Sequence, residues 1–564
     1  MQFSANSRYS YWLADPDLDA AMRRELELMQ DPEAVADHFA RSLFVGMGGL
    51  TARLGAGTSY LNAYTFGAVA RACALHAKET GAARVLIGRD GRDTSPAFSR
   101  QLCRAFAAEK IPCALIEEEI AAPVFSFAVR QGRYDFGFYV SATHHGSAYN
   151  GLLAYDAHGC LLLPDQMKKL DEHLQNLDPL QSDTSDALET ALSCGAVSVD
   201  KTDYFSEFTR RVTEQMGAET SDCEIGVLCV SHVADEGETL KKMLAAFGFS
   251  NVEVVPGTGE TLDMPYHRDG AVSPAAREAF EQSGAQILIC TDSSLNNISA
   301  AVKHDGEIFP FTGSEIGILL LDGRCRRLLA EHKLPAHPVA AVSLIVSPML
   351  HRVAERYGIQ VTDTLIGFRH IVRVIESLAQ SGREEDFVVG FEDNGSVLLN
   401  TVTRDKDALS TAAALCELAR REAAGGRTLF DAMESLSKTY GHFAYSRDQF
   451  SFEGMSGATR MYNLLRLLCH DIPTDIGGMR VLTLRDSDRR TAFDLSTLQT
   501  TTLPTDSAQI VALDLEAGTI VLRPASNKPL LRVYFAAHDE RPEAAEEKMA
   551  AMRRAMRTWI VQRT

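Results

Sequence analysis

Apolar runs alternate with amphipathic segments between about residues 64 and 199. The segment TFGAVARACALHAKET has the spacing of a helix, and RVLIG is typical of a short buried strand. The segment TSPAFSRQLCRAFAAEK places Phe98, Leu102 and Phe106 on one helical face, and CALIE and YDFGFYVSA then predict two more strands. This alternation predicts an α/β unit in which functional loops follow the ends of strands.

The same alternation recurs twice further along the chain. EIGVLCVS, ETLKKMLAAFGF, VEVVP and QILICT indicate a second unit, and PVAAVSLIVS, IQVTD, GFRHIVRVIESLA and FVVGFED indicate a third. The remaining chain combines the helix ATRMYNLLRLLCH, several short strands and a closing helix. We therefore predict three similar α/β domains with mixed sheets and a C-terminal α+β domain, with boundaries at 1–204, 205–325, 326–443 and 444–564.

Composition narrows the class of protein. A chain of 564 residues is too long for one core, and 45% hydrophobic with 23% charged residues is typical of a soluble globular protein. The formal charge of −19 argues against nucleic acid or an anionic membrane surface as partners. No apolar run is long enough to span a membrane and no signal peptide is visible, so we expect a cytoplasmic protein.

The cysteines argue against a structural metal site. All 11 are scattered, with no C-x-x-C pair and no Cys/His cluster, so we expect reduced, mostly buried thiols and no structural zinc.

Two neighbouring loops of the first unit carry candidate chemistry. VSATHHGSAYNGLLAYD, at 140–156, follows a strand and presents Thr143 beside two histidines. Upstream, IGRDGRDTSP places Arg89 and Arg92 around Asp90, just before a helix. Two arginines beside a helix N-terminus suit a phosphate group, whereas an ordinary strand-to-helix turn with a threonine cap explains the same residues equally well.

The second and third units each have one polar loop after a strand. TDSSLNN offers Asp292 as its only carboxylate, with Ser294 and Asn296 as neutral oxygens, so the residues alone favour a turn over a Mg²⁺ site. In GFEDNGS, Glu392 and Asp393 can accept hydrogen bonds from sugar hydroxyls, although a solvated acidic turn is the common alternative.

The fourth loop lies between two strands of the last domain. RPASNKPLLRVY brings Arg523, Ser526, Asn527 and Lys528 together, and their charges, hydroxyl and amide suit a phosphate group.

In this order and spacing the four loops resemble those of the α-D-phosphohexomutases, the phosphoglucomutase/phosphomannomutase family. Ser141 to Gly146 followed by Asn-Gly resembles the family's T-A-S-H-N-P loop, and GRDGR resembles its G-R-D-x-R. TLIGFR, EDNG and RDKD resemble its later motifs, and the N-terminal FVGMGGLTARLGAGTSYLN resembles the longer-chain branch that includes phosphopentomutases.

The resemblance implies a heart-shaped molecule with one active-site loop from each of four domains. It also implies interconversion of hexose 1-phosphate and 6-phosphate through a bisphosphate, with Mg²⁺ as cofactor, a sugar bisphosphate as activator and a phosphosugar as ligand. The site residues that it implies are Thr143, His144 and Arg89 for catalysis; Arg92, Arg369, Glu392, Asp393, Asn394, Arg523, Ser526, Asn527 and Lys528 for substrate; and Asp292, Ser294 and Asn296 for metal.

The sequence departs from the family where the chemistry occurs. Thr143 stands in place of the phosphoserine, and its methyl group restricts the side chain and crowds an in-line approach. Three metal-binding aspartates are reduced to Asp292, and Lys528 replaces a glutamate. Two hypotheses follow: a divergent mutase that uses Thr143, or a catalytically impaired phosphosugar-binding protein with a regulatory or scaffold role.

Overall fold

The computed structural model describes residues 4–46, 48–181, 192–193, 195–231, 234–257, 271–452, 456–503, 507–525 and 529–563. The chain divides into two compact units. The first comprises Met1–Asp263, Pro274–Ile298 and Ser396–Ala413, and the second comprises Met264–Ser273, Ser299–Gly395 and Ala414–Thr564.

A six-stranded sheet with the order β1-β5-β4-β2-β3-β6 forms the centre of the first unit. The inner strands are parallel, whereas β5 runs antiparallel to β4 and β1 antiparallel to β5. The strand bounds are β1 Leu50–Arg53, β2 Val85–Arg89, β3 Cys113–Leu115, β4 Phe136–Val140, β5 Tyr149–Asp156 and β6 Val197–Val199. Strands β2 and β4 are apolar and almost wholly buried, so the polar residues that follow them meet at one edge of the sheet.

Three further parallel strands belong to this unit, and β7 lies between β8 and β9. They are β7 Val227–Ser231, β8 Val252–Pro256 and β9 Ile287–Thr291. The register pairs Ser231 with Thr291, so the segments that follow β7 and β9 start side by side.

The helices of the first unit surround these strands. Their bounds are α1 Ala5–Ala14, α2 Ala20–Leu28, α3 Pro32–Phe39, α4 Ala63–Glu79, α5 Ser95–Ala108, α6 Ala122–Gln131, α7 Pro164–Gln175, α8 Tyr204–Met216, α9 Ala234–Ala246 and α10 Pro274–Gln282. Helices α1 to α3 enclose a small core around Trp12 and Phe39, which the pattern of apolar positions did not predict.

The second unit contains a parallel group of strands in which β12 lies between β13 and β14, and an antiparallel hairpin of β10 with β11. The bounds are β10 Ile298–His304, β11 Glu307–Phe311, β12 Val339–Ser343, β13 Gln360–Thr364 and β14 Phe387–Phe391. The short β15, Val397–Leu398, belongs to the Ser396–Ala413 segment of the first unit. The helices are α11 Gly313–Ala330, α12 Met349–Arg356, α13 Phe368–Gln380 and α15 Leu429–Tyr440. Helix α14, Ala408–Ala424, begins in the first unit and ends in the second.

An antiparallel sheet with the order β16-β23-β22-β21-β18-β19-β20 forms the C-terminal part of this unit, and β17 pairs with β18. The strands are β16 His442–Ser451, β17 Asp475–Ile476, β18 Met479–Asp486, β19 Thr491–Asp494, β20 Gln499–Thr502, β21 Val511–Leu515, β22 Gly518–Pro524 and β23 Leu530–Asp539. Helices α16 (Gly457–His470) and α17 (Pro542–Val561) pack their apolar sides on its core.

These elements confirm the predicted fold class, an α/β protein that ends in an α+β region. The four domain boundaries stay a prediction. Across the described residues, no helix combines the length and the apolar character that a membrane crossing requires.

Candidate functional site

Thr143 lies in the loop between β4 and β5 with a backbone φ of +51°, in the left-handed region. This region is unfavourable for a β-branched residue, so the surrounding contacts must hold it there. The Thr143 amide donates to Ser141 Oγ at 2.9 Å, and Ser293 Oγ donates to the Thr143 carbonyl at 2.6 Å. Its hydroxyl Oγ1 lies 3.1 Å from Nδ1 of His144. The predicted nucleophile therefore sits in a fixed loop next to a titratable nitrogen.

Arg92 holds this loop in place through hydrogen bonds to its main-chain carbonyls. Its Nη2 donates to the carbonyls of Thr143 at 2.9 Å and His145 at 2.6 Å, and its Nη1 donates to the carbonyl of Gly146 at 3.0 Å. Its Nε donates to Oδ2 of Asp90 at 3.0 Å, and both side chains are buried. These contacts give Arg92 a positioning role, and its contact with substrate stays a prediction.

Asp90 connects the two loops of the first unit. Ser95 Oγ donates to its Oδ1 at 2.6 Å, and Asn150 Nδ2 donates to Ser95 Oγ at 3.0 Å. Burial raises the pKa of Asp90, while the charge of Arg92 opposes the rise. The G-R-D-x-R and Asn-Gly motifs are therefore joined through one buried network.

Arg89, at the end of β2, is half-buried. Its Nε and Nη2 donate to the carbonyl of Glu117 at 3.0 and 2.6 Å, and its Nη1 donates to the carbonyl of Asp90 at 3.1 Å. The acceptors in these contacts are neutral carbonyls, so none of them neutralises the charge of the guanidinium. A guanidinium in this state suits the binding of a phosphate group nearby.

The loop after β9 is held together by hydrogen bonds among its own residues. Asp292 Oδ1 accepts hydrogen bonds from the Asn296 amide at 2.8 Å and from Ser294 Oγ at 3.2 Å. Its Oδ2 accepts from Asn297 Nδ2 at 2.5 Å. Asn296 is wholly buried, and neither polar atom of its side chain has a hydrogen-bond partner among the described residues.

This arrangement does not fit Mg²⁺ held by the loop in the way that the family resemblance implies. Both oxygens of the single carboxylate, Asp292, already accept hydrogen bonds from the loop. Mg²⁺ requires anionic oxygens in near-octahedral geometry, and Ser294 and Asn296 contribute no charge. The loop is therefore not suited to supply a metal ion to a reaction.

Glu236 is a carboxylate that the sequence analysis missed. It lies in the first turn of α9 with 5% of its surface exposed, and neither oxygen has a hydrogen-bond partner among the residues described. Burial raises its pKa well above the usual range, and the negative charges of Asp90 and Asp292 raise it further. The pairing of Ser231 with Thr291 explains why Glu236 and Asp292 influence each other, because it starts the two following segments together. A glutamate soon after the mostly apolar strand β7 was the available signal.

In the second unit, Glu392 anchors the start of α13. Its Oε1 accepts a hydrogen bond from the Gly367 amide at 2.7 Å, and Gly367 has a φ of +123° that favours glycine. Arg369 follows in the first turn of the helix, where burial lowers its pKa and the charge of Glu392 opposes the change. The structure thus brings the predicted Arg369 and Glu392 together.

Asp393 and Asn394 occupy the turn after β14, and both are half-buried. Burial raises the pKa of Asp393 to about 7, and the adjacent Glu392 adds to the rise. The positive charges of Arg447 and Arg523 oppose it. This turn therefore lies among cationic side chains, which makes it more than a solvated acidic turn.

Three arginines lie on one face of the antiparallel sheet. Arg523 pairs directly with Arg532 across β22 and β23, and Arg447 pairs with Tyr534, which shares a face with Arg532. Like charges directly opposite each other destabilise a sheet, so this arrangement favours an anion bound between them. Arg447 and Arg532 were not predicted, because strand register is not evident from the sequence.

The remaining predicted residues of this loop, Ser526, Asn527 and Lys528, lie outside the described residues, and their roles stay predictions.

Comparisons with known proteins show which proteins this chain is similar to. The family description phosphoglucomutase/phosphomannomutase, alpha/beta/alpha domain I, matches residues 43–181, and domain III of the same family matches residues 312–440. A phosphoglucomutase from Staphylococcus epidermidis is 24% identical over 92% of this chain and 94% of its own length. Another from Staphylococcus haemolyticus is 26% identical over 88% of this chain and 90% of its own.

Among solved structures, parafusin, a phosphoglucomutase from Paramecium, has a TM-score of 0.68 at 14% identity, covering 93% of this chain and 96% of its own. The two matched domains, the relatives that align along most of the chain and the similar fold agree with one another. The chain belongs to the α-D-phosphohexomutase (phosphoglucomutase/phosphomannomutase) family.

Proposed function

We propose that this chain is a phosphosugar mutase in which Thr143 carries the phosphoryl group. The proposal rests on the 3.1 Å contact between Thr143 Oγ1 and His144 Nδ1. A neutral imidazole nitrogen can accept the hydroxyl proton, so the nucleophilic oxygen has a base beside it. Membership of the phosphoglucomutase/phosphomannomutase family supports the same class of reaction.

The proposed transfer starts from a sugar bisphosphate. Oγ1 of Thr143 forms a bond to phosphorus while the bond from phosphorus to the sugar oxygen breaks. His144 accepts the hydroxyl proton and passes it to solvent, the departing sugar oxygen takes a proton from solvent, and the sugar leaves as a monophosphate. In the second half of the cycle, the free hydroxyl oxygen of an incoming sugar monophosphate takes the phosphoryl group while the bond from phosphorus to Thr143 Oγ1 breaks. That hydroxyl loses its proton to solvent, and Oγ1 regains a proton from solvent through His144. A new bisphosphate forms, so the net result is conversion of one sugar monophosphate into its positional isomer. The Arg92 contacts keep the loop in place throughout.

The second unit by itself contains side chains that suit a phosphosugar. A phosphate placed near Arg523 and Arg532 would relieve the repulsion between these paired side chains. Glu392 and Asp393 have oxygens that suit sugar hydroxyls, since a carboxylate accepts hydrogen bonds in two directions.

A second candidate function is phosphosugar binding without turnover, in a regulatory or scaffold role. It is favoured by the loop at Asp292, where one carboxylate replaces three and the loop itself occupies both of its oxygens.

Intact-mass measurement of the full chain after incubation with glucose 1,6-bisphosphate separates these functions. The same samples are assayed for conversion of glucose 1-phosphate to glucose 6-phosphate with and without Mg²⁺. We expect a phosphate adduct on Thr143 and turnover, both lost in Thr143→Ala and both kept in Thr500→Ala, a change at an exposed threonine. Saturable binding of glucose 6-phosphate with neither adduct nor turnover would establish the second candidate. Absence of binding would rule out both.

A further inference from the structure

His76, Glu79 and His173 form a compact group between α4 and α7 of the first unit. One potential ligand atom from each of the three side chains lies within 4.8 Å of the other two. None of these residues belongs to the loops described above. The sequence analysis found no such group, because His173 is remote in the chain from the other two.

Helical geometry explains two of the three positions. His76 and Glu79 are three residues apart on α4, so their side chains lie on the same face of the helix. His173 projects from the last turn of α7, and its Nε2 lies 3.0 Å from Oε2 of Glu79. The rings of His76 and His173 are inclined at 59° with their centres 6.4 Å apart.

His76 is the member that points to a ligand. Only 1% of its surface is exposed, and neither ring nitrogen has a hydrogen-bond partner in the part of the chain that the structure describes. Leaving a buried polar group unsatisfied costs roughly 1–3 kcal/mol. Burial lowers the pKa of His76, and the neighbouring His173 lowers it further, so the ring is neutral and able to donate a lone pair.

We propose that His76, Glu79 and His173 bind a divalent transition metal ion, and that this ion is Zn²⁺. Two imidazoles and one carboxylate form a ligand set that zinc uses in proteins, with bonds of about 2.0–2.2 Å. Such bonds require ligand atoms roughly 3.3 Å apart in a tetrahedral site, so atoms now within 4.8 Å of one another would have to move closer through rotation of the side chains.

The exposure of two of the three side chains leaves room for a water ligand. The side chains of Glu79 and His173 are 59% and 29% exposed, so solvent reaches the side of the group away from His76. A water molecule would complete the tetrahedron from that side. The positive charge of Lys169 acts on both His76 and Glu79. Because it repels a cation, it weakens metal binding at this site. Because the ligands come from two helices, the metal would link α4 to α7 and stabilise the first unit.

The test is Zn²⁺ binding by the full chain after treatment with a chelator, followed by calorimetric titration with ZnCl₂. We expect one site that loses at least about tenfold in affinity in His173→Gln and in Glu79→Gln, both of which alter partly exposed side chains. Thermal unfolding gives a second readout, in which ZnCl₂ raises the melting temperature of the natural chain and not that of His173→Gln.

His351→Gln is the matched control. His351 forms an exposed histidine–aspartate pair with Asp363 at 3.1 Å and lies outside the only group of three potential metal ligands found among the described residues. We expect its affinity for Zn²⁺ to equal that of the natural chain. The proposal is overturned if the chain binds no Zn²⁺, or if His173→Gln binds it as tightly as His351→Gln does.

Discussion

Nη2 of Arg92 donates a 2.9 Å hydrogen bond to the main-chain carbonyl of Thr143, so a buried guanidinium holds the proposed nucleophile by its backbone. The same guanidinium is paired with Asp90, which is itself buried. The position of the Thr143 hydroxyl therefore depends on an ion pair that it does not touch. A change at Arg92 is expected to alter both stability and phosphoryl transfer.

Arg92→Met is expected to lower the free energy of unfolding by about 3–5 kcal/mol, because it leaves the Asp90 carboxylate buried without its cation. Urea denaturation measures the change, and the double variant Asp90→Asn/Arg92→Met should recover part of it. Arg210→Met, in an exposed pair with Glu214, is the control and should have a much smaller effect. Equal losses in the two single variants would contradict the structural role of the buried pair.

Thr143→Ser tests the cost of the methyl group. Serine keeps the hydroxyl beside His144 and removes the β-branch from a residue with a φ of +51°. We expect the phosphate adduct to form several-fold faster from glucose 1,6-bisphosphate. Intact-mass measurements at successive times give this rate. Thr143→Val, which keeps the shape and lacks the hydroxyl, should form no adduct. A serine variant that reacts more slowly than the natural chain would show that the methyl group assists the reaction.

The sequence predicted the strand-end loops well, because apolar runs followed by polar residues locate them without knowledge of tertiary contacts. It predicted Arg89, Arg369 and Glu392 as site residues by resemblance, and the structure places the last two together. It could not predict Arg532, since only the register of two distant strands sets it opposite Arg523.

The same limit explains the other omissions. The position of Glu236 depends on the neighbouring ends of β7 and β9, and the meeting of His76 with His173 depends on how two helices pack. Each is a relationship between segments far apart in the chain, and local periodicity carries no information about it.

Restoring carboxylates to the loop after β9 should restore a response to Mg²⁺. In Ser294→Asp/Asn296→Asp, two new buried charges lie close to Asp292, so we expect a lower melting temperature in chelator. Millimolar MgCl₂ should reverse most of this loss, because the cation offsets two of the three carboxylate charges. Asn251→Asp, which adds a charge at an exposed position, is the control and should respond to MgCl₂ no more than the natural chain. An equal response to MgCl₂ in the natural chain, the double variant and Asn251→Asp would show that the added carboxylates of this loop do not bind Mg²⁺.

Asp393 should make stability depend on pH between about 4 and 7. Its pKa is raised from 3.8 to about 7 in the folded chain, so the folded state binds the proton more tightly than the unfolded state. The contribution is fully present below the unfolded pKa and is lost as pH rises, at up to about 1.4 kcal/mol for each pH unit. In urea denaturation from pH 4 to 8, Asp393→Asn should show a shallower decline. Parallel curves would exclude the raised pKa.

Glu236→Gln should stabilise the first unit at neutral and higher pH. The carboxylate is buried without a hydrogen-bond partner among the described residues and faces the like charges of Asp90 and Asp292. Its raised pKa means that ionisation opposes folding, so the stability gained by the amide should grow as pH rises above the ordinary carboxyl range and vanish below it. Melting temperatures from pH 4 to 8 measure this difference. Glu238→Gln, on the exposed side of the same helix, should show no such growth. A gain independent of pH would mean that packing, and not charge, separates the two variants.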